Sequence, residues 1–292
     1  GKLKGYPGHP ELEMALMRLY ELTHDPRHLK LATYLIDQRG QSPLYFQQEN
    51  ERYGNDFYWK DSLFGYQYYQ AGKPVREQHK AEGHAVRALY LYSGMADVAR
   101  ETGDTILQSV CNDLWLDVVK RQMYITGAVG ASAYGESFTL DYDLPNDTVY
   151  GESCASIALF FFAWRMLRTN VRGEYADVME KTLYNGIISG MQLDGKEFFY
   201  VNPLEVLPEA CEHDNNKRHV KPESQKWFGC SCCPPNILRL LESLGSYLSS
   251  VANDIAYLHL FVGCEHTLRL SHGELRMTVE ADYPRTGLAK VA

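Results

Sequence analysis

The segment from Glu152 to Arg168 constrains the fold most, because its side chains are apolar nearly all the way round a helix. A helix without a polar face has to be buried on every side, so other helices must surround it. Arg165 interrupts the segment, and no run of about 18 apolar residues occurs anywhere in the chain. The sequence therefore predicts a helical core and no membrane partner.

Six further helices are predicted from apolar residues at helical spacing and from start and stop signals, at about 12–22, 26–40, 79–101, 104–124, 174–191 and 235–251. Tight polar turns join pairs of these helices at residues 22–27, 101–104 and 168–174. Repeated helical hairpins build either an open solenoid or a closed α/α toroid, and the residues alone leave both open.

The pattern changes after Asn253, where short segments alternate between apolar and polar residues as strands do, at 255–262, 267–270 and 275–281. We therefore expect two domains, a helical domain over residues 1–253 and the beginning of a β-sandwich domain over residues 254–292. Seven helices followed by an unfinished sheet indicate an internal fragment of a longer protein.

Glutamate and cysteine residues mark a candidate metal site. Glu152 and Cys154 lie close in sequence, and Cys232 and Cys233 directly precede an expected helix start, where thiols ionise more easily. One carboxylate and three thiols would fill a tetrahedron around zinc and leave no place for an activated water. A catalytic site would then need a cysteine as its nucleophile. The spacing of these four residues in the sequence is not that of a standard zinc finger. The alternative to a catalytic metal site is a zinc ion with a purely structural role.

Composition limits the compartment and the partners. Seven cysteines is an odd number, for which metal binding in a reducing compartment fits better than a disulfide framework, so we expect a cytoplasmic location. The net charge of −8 argues against a nucleic-acid partner. The chain has 21 tyrosines, which suit sugar surfaces and protein cores alike.

Glu136 is a candidate catalytic carboxylate, because it lies in a polar loop with glycines at 130 and 135. A solvated acidic loop is the simpler interpretation, since Asp141, Asp143 and Asp147 follow. Four other polar residues stand out, each with a structural interpretation as a cap, a core histidine, an exposed ion pair or strand core: His9, His84, Glu180 and Tyr200.

Four segments carry a more specific signature: GYPGHP at 5–10, GHAVR at 83–87, DYDLPNDTVYGESCAS at 141–156 and GCSCCPPN at 229–236. In this order they resemble glycoside hydrolase family 127, the β-L-arabinofuranosidases. The resemblance covers essentially the whole chain but only the middle of a full family member. It implies a mainly α fold, an (α/α)6 toroid of which residues 1–253 form the C-terminal part, followed by a β-sandwich domain.

The resemblance also implies a retaining exo-glycosidase that releases L-arabinofuranose from β-linked arabinooligosaccharides, with a homodimer left open. By motif match Cys232 would be the nucleophile and Glu136 the general acid/base. Zinc would be bound by Glu152, Cys154, Cys232 and Cys233. The positions that contact the sugar in the family fall on His9, His84, Glu180 and Tyr200.

Two other functions stay open on the residues alone. One is an α/α-toroid hydrolase or lyase that uses two carboxylates, Glu136 and an aspartate of the 141–147 run, beside a structural zinc. The other is a non-catalytic, sugar-binding helical module in which zinc only joins two loops.

Overall fold

Helices make up the body of the molecule and antiparallel strands its C-terminal end. The computed structural model describes residues 4–54, 65–230 and 232–292. Within these residues the α-helices are α1 (Leu12–Thr23), α2 (Pro26–Gln38), α3 (Tyr45–Tyr53), α4 (Ala85–Thr102), α5 (Thr105–Asp117), α6 (Ser153–Thr169), α7 (Gly173–Lys181), α8 (Pro208–His213) and α9 (Cys233–Ser243). The strands are β1 (Ser249–Ala252), β2 (Ile255–Leu258), β3 (Cys264–Leu270), β4 (Gly273–Ala281) and β5 (Ala289–Val291).

Helix α6 is the centre of the core, which confirms the expectation from its apolar sequence. Every residue from Ser153 to Ala163 is buried. Helix α6 packs most extensively on α4, and it also contacts α7 and α9. Helix α4 is itself buried along most of its length and packs on α1 and α5 as well. The two central helices therefore present their N-terminal ends from a rigid interior.

A buried ion pair explains why the apolar helix α6 contains a charge. Arg165 Nε donates to Asp97 Oδ2 of α4 over 2.8 Å, and both side chains are almost fully buried. Near them, Arg100 of α4 and Arg168 of α6 both bind Glu21 of α1, over 2.9 and 2.6 Å. A buried charge is tolerated only when it is paired, so this network fixes how α1, α4 and α6 pack at one end.

The third predicted helix begins six residues later than expected, at Ala85 instead of His79. Gly83 has a φ of +73°, a left-handed conformation that cannot continue a helix. His84 then acts as the N-cap, because its Nδ1 accepts a hydrogen bond from the backbone N–H of Arg87. The true start therefore places His84 at a helix end and not on a helix face.

The seventh predicted helix ends earlier than expected, at Ser243 instead of Val251. Ser249–Ala252 instead forms β1 and pairs antiparallel with β2. The turn between them is Asn253-Asp254, both with left-handed backbone conformations of φ 50° and 63°. The expected domain boundary between residues 253 and 254 therefore falls inside this hairpin, and the β region begins at Ser249.

The remaining strands form a separate antiparallel sheet in the order β3–β4–β5. Two helices, α3 and α8, have no counterpart among the predicted ones. Tyr200, expected in a strand, lies instead beside isolated bridges that Phe198 and Val201 form. No helix in the described residues combines the length and the apolarity that crossing a membrane requires.

Candidate active site and metal centre

A cavity of about 510 Å³ lies where the N-terminal ends of α4, α6 and α9 meet. Each helix brings a polar side chain from its start: His84 caps α4, Glu152 precedes α6 and Cys232 precedes α9. His9 and Glu136 reach the same cavity from outside these helices. The partial positive charge at a helix N-terminus favours carboxylates and thiolates there.

Four groups of the kind that bind metals converge beside this cavity: Glu152, Cys154, Cys232 and Cys233. Their donor atoms all lie within 4.8 Å of one another. Cys233 Sγ is 3.6 Å from Cys154 Sγ and 3.8 Å from Cys232 Sγ. Cys232 Sγ is 3.3 Å from Glu152 Oε1, although 80 residues separate them in the chain. The fold thus brings together the two segments that the sequence marked as a candidate metal site.

The pKa values of the four clustered groups indicate how a bound cation would change their ionisation. Thiol–thiol hydrogen bonds lower the pKa of Cys232 and raise the pKa values of Cys154 and Cys233, while burial raises the pKa of the Glu152 carboxyl. Glu152 Oε2 is buried and has no hydrogen-bond partner in the described residues. Without a cation the four groups cannot all ionise, and one buried oxygen stays unsatisfied. The cluster therefore has the chemistry of a metal site.

Glu136 is held by two hydrogen bonds in the cavity. His84 Nε2 lies 2.9 Å from Oε2, and Tyr150 donates its hydroxyl to Oε1 over 2.9 Å. His84 Nδ1 accepts from the N–H of Arg87, so in the neutral ring the proton is on Nε2 and is donated to Glu136. Burial opposes ionisation of Glu136, but these two donors outweigh it and lower the pKa of the carboxyl.

The backbone at Glu136 is strained as well. Its φ is +51°, a left-handed conformation that is uncommon outside glycine. Ser132 and Ser137 pair through reciprocal backbone hydrogen bonds across the loop and hold this conformation. The nearest donor atoms of His84, Glu136 and Glu152 lie within 4.8 Å, so the loop delivers its carboxylate next to the sulfur cluster. Strain of this kind is concentrated at functional sites.

Tyr200 and His9, two residues predicted to contact a sugar, also line this cavity. The Tyr200 hydroxyl is 3.1 Å from Cys232 Sγ, and both residues line the cavity. Burial raises the pKa of Tyr200, so the hydroxyl keeps its proton and can donate to the sulfur. His9 lies with its ring centroid 6.2 Å from that of His84, and burial lowers its pKa, which favours the neutral ring.

Glu180 is the one predicted site residue that lies neither in this cavity nor in the sulfur cluster beside it. It lies in α7, and its Oε1 accepts a hydrogen bond from the Tyr283 hydroxyl over 2.6 Å. Its contact with sugar stays a prediction without structural support in the described residues.

Sequence reasoning missed one wall of the cavity, formed by Glu11, Tyr90, Asn236 and Arg239. Arg239 binds Glu11 over 2.5 Å, and both Arg239 and Asn236 bind the Tyr90 hydroxyl. A signal for it exists in the sequence. Asn236 and Arg239 stand four and seven residues after Cys232, the spacing that places side chains on one face of a helix.

Comparisons with known proteins agree with this geometry. The sequence profile of the family described as the β-L-arabinofuranosidase GH127 catalytic domain matches residues 1–246. A non-reducing end β-L-arabinofuranosidase from Bifidobacterium longum subsp. longum is 48% identical over 249 residues, which cover 85% of this chain and 38% of that protein.

Solved structures show the same relationship in three dimensions. A GH127 β-L-arabinofuranosidase from Geobacillus stearothermophilus T6 superposes with a TM-score of 0.95 at 54% identity, over 99% of this chain and 45% of that one. A second GH127 β-arabinofuranosidase gives a TM-score of 0.83 at 38% identity, over 98% of this chain and 40% of that one. The chain thus spans less than half the length of these relatives.

The structural match confirms the expected fold class, a mainly α arrangement of the α/α-toroid type followed by antiparallel strands. The family profile covers the helical region that carries the sulfur cluster, Glu136 and the cavity. The chain belongs to glycoside hydrolase family 127, the β-L-arabinofuranosidases.

Proposed function

We propose that this chain carries the active site of a retaining exo-glycosidase that releases L-arabinofuranose from β-linked arabinooligosaccharides. Cys232 is the nucleophile, Glu136 the general acid/base and zinc the metal. The observation that carries the proposal is the position of Cys232, which belongs to the metal-type cluster and also lines the cavity with Glu136. Cys233, by contrast, is fully buried.

The spacing of the donor atoms fits zinc. With Zn–S bonds of about 2.3 Å, two sulfurs of a tetrahedron lie about 3.8 Å apart. The Sγ–Sγ distances of 3.6 and 3.8 Å in the cluster are close to this value. Glu152 Oε2, buried without a partner, supplies a further ligand-type atom. Bound zinc would keep the sulfurs ionised and hold Cys232 in place.

The first chemical step breaks the glycosidic bond. The Cys232 thiolate attacks the anomeric carbon, and the electron pair of the breaking C–O bond goes to the leaving oxygen, which takes a proton from Glu136. A thioglycosyl intermediate on Cys232 and a free alcohol result. In the second step Glu136 removes a proton from water, the water oxygen attacks the anomeric carbon, and Cys232 leaves as a thiolate. Two inversions retain the configuration.

Neighbouring side chains support both steps. His84 and Tyr150 hold the Glu136 carboxylate in one orientation through their hydrogen bonds, which the second step needs when it acts as a base. The Tyr200 hydroxyl, 3.1 Å from Cys232 Sγ, can stabilise that sulfur when it is a thiolate. His9 offers a neutral imidazole to sugar hydroxyls in the same cavity.

The two-carboxylate alternative finds no support in the placement of the aspartates. Asp141 binds Lys80 over 3.0 Å, and Asp147 pairs with Lys217. Asp141 and Asp143 line a different cavity from the one that contains Glu136.

All seven cysteines are free, which is consistent with the reducing, cytoplasmic compartment we propose.

The test is hydrolysis of an aryl β-L-arabinofuranoside by the zinc-loaded chain, with about one zinc per chain confirmed by elemental analysis. Cys232→Ser should abolish release of the aryl alcohol, and Glu136→Gln should slow turnover of an unactivated oligosaccharide about 10²–10⁴-fold. Cys264→Ser, in strand β3 and away from the cluster, is the matched control and should keep its activity.

Two outcomes would contradict the proposal in different ways. Substantial turnover by Cys232→Ser would reject the nucleophile, and the absence of a sugar adduct on Cys232 by mass spectrometry under trapping conditions would support that rejection. Binding of arabinofuranosides without any release by the unaltered, zinc-loaded chain would favour the non-catalytic sugar-binding alternative.

A further inference from the structure

The Tyr90 hydroxyl has an unusual hydrogen-bond arrangement on the cavity wall. It accepts one hydrogen bond from Asn236 Nδ2 over 2.8 Å and another from Arg239 Nη2 over 2.7 Å. A tyrosine hydroxyl has one proton to donate and two lone pairs to accept with. Both accepting positions are filled, and its own proton has no acceptor among the described residues. Tyr90 is 3% exposed and lines the cavity.

The neighbours of Tyr90 fix this arrangement. Arg239 has only donors, and it is anchored on its other side by Glu11 over 2.5 Å. Asn236 Oδ1 accepts from Arg239 Nη2 over 2.7 Å, so the amide must turn its NH₂ group towards Tyr90. Burial raises the pKa of Tyr90, so the hydroxyl keeps its proton. Tyr90 is therefore locked as a hydrogen-bond donor that faces the cavity.

The spacing of residues along α9 indicates which part of a bound sugar the Tyr90 hydroxyl would contact. Cys232, Asn236 and Arg239 lie on one face of the helix, and four residues of helical rise separate the backbone positions of Cys232 and Asn236 by roughly 6 Å along the helix axis. That is about the span of a furanose ring together with its exocyclic oxygens. A sugar whose anomeric carbon is at Cys232 Sγ would then place an oxygen from its other side near the Tyr90 hydroxyl.

We propose that Tyr90 is a specificity-determining residue that donates a hydrogen bond to an oxygen of the bound furanose, and that Asn236 and Arg239 are positioning residues that act through it. This inference rests on the proposed function, because it takes its ligand class, a neutral furanoside, from that site. A buried donor without an acceptor destabilises the unliganded site, and a ligand oxygen removes this cost.

The experiment measures binding of methyl β-L-arabinofuranoside to the zinc-loaded full chain by calorimetry. All variants carry Glu136→Gln, so that the furanoside is not consumed. Tyr90→Phe should weaken binding about tenfold, because one hydrogen bond is lost. Tyr92→Phe is the matched control. Tyr92 lies in the same helix, is fully buried and does not line the cavity, so the dissociation constant should not change.

Asn236→Asp separates a directed donor from a merely structural residue. The aspartate carboxylate would accept the Tyr90 proton and take the donor away from the ligand, so binding should weaken about as much as in Tyr90→Phe. In the Tyr90→Phe background, Asn236→Asp should then cost nothing further. Thermal unfolding of each variant shows that the fold is retained.

The outcomes distinguish this inference from the proposed function. Unchanged affinity in Tyr90→Phe, or independent losses in the double variant, overturns the role of Tyr90 while the parent still binds the furanoside. A parent that does not bind the furanoside at all overturns the proposed function, and this inference with it.

Discussion

Removal of the metal should lower the melting temperature of this chain by several degrees. The proposed zinc would cross-link two segments that lie far apart in the chain, since Cys154 and Cys233 are 79 residues apart in sequence. In the chain-entropy treatment, a cross-link that closes a loop of this length stabilises the folded state by about 4.5 kcal/mol at 25 °C. This value is an upper limit, because the packing of α6 on α9 already restrains the two segments.

The free energy converts into a temperature shift through the entropy of unfolding. At about 2.1 cal/mol/K per residue, the 292 residues give a shift of about 7 °C for the full cross-link. A chelator also returns the cluster to its metal-free protonation, in which the raised pKa values of Cys154 and Cys233 keep both thiols neutral. We therefore expect a decrease of about 3–7 °C, reversed by added zinc but not by magnesium.

Differential scanning calorimetry with and without a chelator measures this shift, and elemental analysis confirms that the metal has left. Cys154→Ser removes one ligand and should abolish most of the difference between the two conditions. Cys264→Ser has the same chemical change outside the cluster and should show the full difference. An unchanged melting temperature after verified loss of metal would refute the reasoning, because the two helix starts would then hold their positions without a cross-link.

Two further predictions concern stability away from the site. Arg165→Met leaves the buried Asp97 without its 2.8 Å partner and should lower the free energy of unfolding by about 3 kcal/mol, as measured in urea titrations. If the double variant Arg165→Met, Asp97→Asn loses as much free energy, the loss does not come from the unpaired charge of Asp97. Burial lowers the pKa of His259 from its ordinary value of 6.5, so the unfolded chain binds a proton that the folded chain does not, and stability should fall as pH decreases below 6.5. His259→Gln should flatten this decrease below about pH 6.5, and the same slope in both proteins would exclude His259 as its source.

The helical core could be predicted from the sequence because its signal is local. The burial of α6 follows directly from its apolar residues, and Arg165 is the exception that its partner Asp97 explains. Helix α3 was missed because its segment, YFQQENERY, is mostly polar and has no apolar period. The end of α9 was placed too late because Ser249–Ala252 can extend a helix as easily as it pairs with β2, and only the partner strand decides.

The sequence predicted only those parts of the site that the chemical type of a residue indicates. Three thiols and a carboxylate indicate a metal wherever they meet, so the convergence of Glu152 with Cys232 and Cys233 was expected. The bond from Tyr150 to Glu136 was not, since a tyrosine gives no sign in sequence of what its hydroxyl contacts. The wall around Tyr90 was missed for the same reason, although the spacing of Asn236 and Arg239 marked the helix face.

The meeting of two helix starts at the sulfur cluster has a consequence for which sugars the proposed active site would admit. In the proposed zinc-bound state, three thiolates and a carboxylate around the divalent ion would leave an excess of negative charge, which the helix ends, at about half a unit charge each, would offset only in part. A substrate that carries a carboxylate, such as a uronic acid, would be repelled by this charge, whereas a neutral pentose would not. In the proposed reaction the same field would favour the positive charge that develops on the ring when the glycosidic bond breaks, so charge selection and rate acceleration would come from one arrangement.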